Sequence, residues 1–64
     1  MNNADLKNAL LSGEPVLFNG MRYDCVSGII YRRKKGKLCI SAELADLKGN
    51  SVTIARAEKV EAFT

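Results

Sequence analysis

Hydrophobic positions change their spacing once along the chain, from helical at the amino-terminal end to alternating thereafter. Between residues 3 and 12, Leu6 and Leu10 stand four apart with Ala9 beside them, which draws a narrow apolar stripe on a helix. Asn3 suits the N-cap, Asp5 puts a negative charge in the first turn where the helix dipole favours it, and Gly13 suits the stop. A helix of about three turns is marginal by itself, so its stripe has to dock on an apolar surface.

Beyond Gly13-Glu14-Pro15 the chain reads as strands, about 16–19, 21–33, 38–47, 51–55 and 60–63. Val16-Leu17-Phe18 ends in Asn19-Gly20, the strongest two-residue hairpin signal in the sequence. Met21, Tyr23, Cys25, Ile29 and Tyr31 alternate with polar residues, and so do Leu38, Ile40, Ala42 and Leu44. Lys34-Lys35-Gly36-Lys37 joins these two long strands. Their apolar faces coincide when Tyr31 stands opposite Ile40, Ile29 opposite Ala42 and Ser27 opposite Leu44. A slip of one residue would set Arg32 against Leu38 and turn Asp24 inward. Val26 and Ile30 are then left outward, and Gly28 marks a bulge or bend that reverses the parity locally. After the turn at Lys48-Gly49-Asn50, Val52 and Ile54 read as inward residues of a short strand. Residues 56–59 hold no β-branched side chain and suit one helical turn before the last strand.

The expected fold is a mainly β single domain over residues 1–64: an N-terminal helix, then five strongly bent antiparallel strands closing a small barrel, with a single helical turn before the last strand. This order resembles the SH3-like and Sm-like barrels. Ile54-Ala55-Arg56-Ala57-Glu58-Lys59-Val60 is similar to the segment around the fourth and fifth strands of Sm proteins, and the N-terminal helix fits the Sm arrangement. Ala57 stands where typical Sm sequences have Gly, and their Asp-containing uridine loop is missing, so the resemblance implies fold and neither ring assembly nor RNA binding. In general character the chain also resembles small proteins of Gram-positive prophages and mobile elements, a likeness carried by no particular residue.

Composition narrows the chemistry. With 64 residues, no His and two Cys, the chain lacks the usual general base, a dense disulfide framework and a tetrahedral zinc set. No phosphate-loop or dinucleotide-binding motif occurs, so a non-enzymatic protein without cofactor or metal is expected. Neither a secretory signal nor a membrane-length apolar run is present, which reads as a cytoplasmic protein. Cys25 and Cys39 face opposite sides in the register above. They stand about seven residue steps apart, roughly 20 Å, far beyond disulfide reach. Cys25 reads as a small core residue, and Cys39 as a thiol beside Arg32.

Charge is what points to a partner. The net +3 conceals a division, because Arg32, Arg33, Lys34, Lys35 and Lys37 hold five of the ten basic residues and leave five against seven acidic residues, net −2, elsewhere. A basic hairpin tip fits the phosphates of DNA or RNA, bound without sequence preference. It equally fits a solubilising guard against edge pairing. Of the four aromatics, Tyr23 and Tyr31 point inward, and Tyr31, nearest the tip where the barrel interior opens, is the one placed to stack on a base or touch a phosphate. The alternative partner is another protein. It would dock on a barrel edge or on an apolar outer face formed by Val26, Ile30, Ala45 and Leu47 beside the helix stripe, unless Leu6 and Leu10 simply cap the barrel's open end.

Overall fold

A computed structural model of the chain describes residues 1–46, 48 and 51–63. Helix α1 spans Asn3–Ser12, and its cap is Asn2, one residue earlier than the pattern predicts. The Asn2 Oδ1 accepts from the Asp5 N–H at 2.8 Å, and Gly13, at φ 71°, closes the helix with its N–H on the Ala9 carbonyl. Leu6 and Ala9 are buried, whereas Leu10 lies at the rim, 39% exposed. The stripe is thus one turn shorter than the spacing suggests, because α1 crosses β3 with its first two turns and runs past the core with its last.

The strands are β1 (Val16–Phe18), β2 (Met21–Tyr23), β3 (Cys25–Lys34), β4 (Lys37–Ala45), β5 (Val52–Arg56) and β6 (Val60–Ala62), with a 3-10 turn at Ala57–Lys59 between the last two. They form two antiparallel three-stranded sheets, ordered β2-β1-β6 and β3-β4-β5. The closed five-stranded barrel expected from the sequence is not seen as one continuous sheet: among the described residues no ladder joins the two sheets. The long strand expected over 21–33 breaks at Asp24, whose N–H turns to the Ala45 carbonyl at 2.9 Å as the chain leaves one sheet for the other. The β1-β2 and β3-β4 hairpins each close through two residues in the left-handed region, Asn19 and Gly20 at φ 53° and 74°, and Lys35 and Gly36 at φ 51° and 77°. Such turns match the twist of the flanking strands.

Between β3 and β4 the expected register holds from Gly28–Glu43 to Lys34–Lys37. Below it, Ser27 is an extra residue, and Val26 rather than Ser27 stands opposite Leu44. The bulge reverses parity there, turning Val26 into the core at 2% exposure and pairing Cys25 with Ala45 instead of Asp46. Ser27 is held outside, its hydroxyl donating to the Glu43 carbonyl and carboxylate at 3.2 and 2.9 Å. Cys25 is consequently half-buried instead of a core residue.

Parity is also reversed in β5. Ala55 opposes Ala42 and Thr53 opposes Leu44 on the inner face, so Val52 and Ile54 point out, 54% and 53% exposed. Small Ala55 and Ala57 let the 3-10 turn close against β4, which a larger inward pair would hold away. The core consists of Leu6, Val16, Val26, Leu44 and Val60 with Ala9, Ala42, Ala55 and Ala57 between them. Phe18 and Tyr23 pack at its margin, their rings tilted with centroids 6.4 Å apart. Leu47 and the Gly49-Asn50 part of the expected turn lie outside the described residues. Within that turn, Asp46 accepts from the Lys48 N–H and the Ser51 hydroxyl, both at 3.0 Å.

Candidate nucleic-acid interface

The β3-β4 ribbon outgrows the core that anchors it. Its lower half carries the buried Val26, Ala42 and Leu44, whereas residues 31–39 are all exposed, and the molecule measures 36 × 22 × 20 Å. All five cations named above, Arg32, Arg33, Lys34, Lys35 and Lys37, lie on this exposed ribbon. Lys35 occupies the turn itself.

Residues directly opposite in an antiparallel ladder share a face, and alternation divides the rest. Arg32 with Cys39 and Lys34 with Lys37 fall on one face; Arg33 with Leu38 and Tyr31 with Ile40 fall on the other. The expected cluster is therefore split. A residue that the sequence pattern leaves out joins its first half: Arg56, opposite Ser41 and in the same row as Ile30. Its signal was present in the basic residue ending the β5 run, but only the parity of β5 shows which side it takes. Arg56, Arg32, Lys34 and Lys37 form a cationic stripe about 13 Å long, four residue steps at about 3.3 Å.

Among the described residues no carboxylate comes within ion-pair distance of this stripe. Lys34 stands directly opposite Lys37, a like-charge pair that costs stability in a ladder. Glu43 shares the face, four rows from Arg32, and its carboxylate accepts from Ser27. Glu58, in the 3-10 turn, lines the same groove as Arg32, Lys34 and Arg56.

Tyr31 keeps the expected face, opposite Ile40. It is 47% exposed, since the ribbon has left the core by this row, and its hydroxyl donates to Asn3 Oδ1 at the start of α1. It lies on the face opposite the cationic stripe, so it does not join Arg32, Lys34 and Lys37 in one contact surface. Phe63, also partly exposed, has the Arg22 guanidinium over its ring at 5.0 Å. No aromatic platform accompanies the stripe, which favours contact with a phosphate backbone over stacking on bases. Cys25 and Cys39 are both free thiols, and Cys39 lies exposed beside Arg32. Among the described residues no group of three metal-ligating side chains comes together, and no helix is long and apolar enough to cross a membrane. Comparison of the chain with family models, with curated proteins and with solved structures finds no match.

Proposed function

We propose that the protein is a non-enzymatic binding module of the cytoplasm that captures nucleic-acid phosphates on its basic hairpin. The observation that carries this reading is the stripe of Arg56, Arg32, Lys34 and Lys37, engaged in no ion pair among the described residues, on one face of a projecting ribbon, with Lys34 and Lys37 held against each other. A ladder that keeps like charges opposed gives up local stability, and an anion bound between them recovers it. Arg33 and Lys35, at the far face and the turn, add charge to the field of the tip without sharing that surface. The contacts position a backbone and read no base edges, so binding tolerates any sequence, DNA or RNA.

The finer architecture we infer is a small barrel of the SH3-like type. β2 runs into β3 across Asp24, and β5 into β6 across the 3-10 turn. Counting β2 and β3 as one bent strand, and β5 and β6 as two joined by that turn, the six strands trace five, with β6 returning to β1. In this arrangement the β3-β4 ribbon is the one long projection, and its charge reaches a ligand before the net-negative body does.

A titration of mixed-sequence duplex DNA at two salt concentrations tests the proposal. Five or so phosphate contacts predict a log–log slope near −4.5, so that affinity falls about 500-fold between 50 and 200 mM monovalent salt. Undetectable binding at the lower salt, or affinity independent of salt, overturns it.

A further inference from the structure

The ribbon also carries an unpartnered sheet edge. In a hairpin closed by a two-residue turn the flanking residues, here Lys34 and Lys37, exchange the ladder hydrogen bonds. Alternation then directs the N–H and C=O groups of Lys37, Cys39 and Ser41 to β3, and those of Leu38 and Ile40 to the opposite edge. On that edge β5 reaches no farther than Arg56 opposite Ser41 before the chain turns away into Ala57–Lys59. The Ser41–Arg56 bridge engages the Ile40 carbonyl with the Ala57 N–H, so the N–H groups of Leu38 and Ile40 and the Leu38 carbonyl are left facing an open groove of about 690 Å³. The first residues of the chain form its other wall, Met1 N donating to the carbonyls of Ala57 and Val60 at 2.6 and 2.7 Å.

The two sides of this edge differ. Leu38 and Ile40 lie on one face, and the stripe of Arg32, Lys34 and Arg56 on the other, with Glu58 the single acid in the groove wall. A strand laid against β4 would alternate between these surroundings at every residue.

We propose that this edge binds an extended segment of a partner protein in which acidic and β-branched apolar residues alternate, added to the sheet as a strand beside β4. Main-chain hydrogen bonds to Leu38 and Ile40 supply the pairing. The apolar side chains of the segment meet Leu38 and Ile40, and its carboxylates meet Arg32, Lys34 and Arg56. A second copy of this chain is disfavoured as occupant, because edge-to-edge pairing of two β4 strands would bring two basic stripes together. The site is separate from phosphate capture in its hydrogen bonding and shares cations with it, so the segment and a nucleic acid compete.

The test uses a labelled, terminally blocked octapeptide alternating Val and Glu, and an isomer with the same residues in two blocks, followed by fluorescence anisotropy. Leu38 is 66% exposed and its N–H points out of the ladder, so Leu38→Pro removes one edge donor without removing a charge or a β3-β4 hydrogen bond. Leu38→Pro is expected to weaken the alternating peptide at least tenfold and to leave duplex DNA binding unchanged; Leu38→Ala, which keeps the N–H, retains most of the peptide affinity. The block isomer is expected to bind at least tenfold more weakly than the alternating one. Hydrogen exchange of the unmutated protein gives a readout independent of how the proline variant folds: peptide should slow the Leu38 and Ile40 amides and leave Cys39 unchanged. Equal affinity for the two peptides, or no slowing at those two amides, overturns the proposal. Protection of the same amides in peptide-free protein together with a doubled mass assigns the edge to a second copy and overturns it as well.

Discussion

Replacing Lys34, Lys35 and Lys37 together by glutamate is expected to abolish nucleic-acid binding while the domain stays folded. The substitution converts a tip of charge +5 into one of −1. It removes two of the four cations of the stripe and the charge at the turn. Loss of about three phosphate contacts takes about 3 from the salt slope, and the new carboxylates repel the backbone, so affinity at low salt should fall about a hundredfold or more. The fold tolerates the change because all three side chains are exposed and none supports the core. A glutamate pair at 34 and 37 only replaces one like-charge opposition by another. The melting temperature should move little, as for exposed substitutions in general. A second triple variant, Lys7, Lys48 and Lys59 to glutamate, makes the same change in net charge at exposed positions away from the ribbon. It is expected to lower affinity only modestly. Equal losses from the two variants would mean that binding follows overall charge and not the hairpin.

Leu44→Ala is expected to unfold most of the protein at 37 °C. Leu44 is fully buried between Val26 on β3 and Thr53 on β5, at the place where the bulge and the reversed parity of β5 bring three strands to one core. Truncating such a leucine costs about 2–5 kcal/mol through lost transfer energy and the cavity left behind. A domain of this size rarely has more than about 3–5 kcal/mol to lose. A urea titration followed by circular dichroism should show a midpoint near zero denaturant. Leu11→Ala, at a leucine 85% exposed, should shift the midpoint hardly at all. The contrast separates burial from hydrophobicity as such, because the two substitutions delete the same atoms.

What the residues alone revealed, and what they concealed, follows from which interactions are local. The helix limits, the Asn19-Gly20 turn, the 3-10 turn before the last strand and the upper register of β3 and β4 were readable from capping chemistry, turn residues and alternation. The bulge was announced by Gly28, yet its extra residue is Ser27, and only the ladder shows that Val26 consequently replaces Ser27 opposite Leu44. Alternation in a five-residue run has two possible phases, and in β5 the larger Val52 and Ile54 suggested the wrong one. The choice was made by tertiary contact, where Ala55 and Ala57 allow the close approach of the turn to β4. Closure of the sheets was likewise beyond a pattern reading, since a bent strand and two strands broken at Asp24 have the same hydrophobic pattern. For the candidate site, the five cations of the tip were evident in a single run of sequence. Alternation alone also separates Arg32 and Lys34 from Arg33 and puts Tyr31 on the side away from Arg32; only the arrival of Arg56 from β5 depends on pairing between strands distant along the chain.

The central claim, that one face of the β3-β4 ribbon is the binding surface, is tested most directly by backbone amide NMR of the labelled protein titrated with a short duplex at low salt. The account predicts shift changes concentrated at Arg32, Lys34, Lys37 and Arg56, with neighbours in the turn following and residues of α1 and β6 unmoved. Changes centred on α1, on the apolar outer positions Val52 and Ile54, or spread evenly over every basic residue would contradict it.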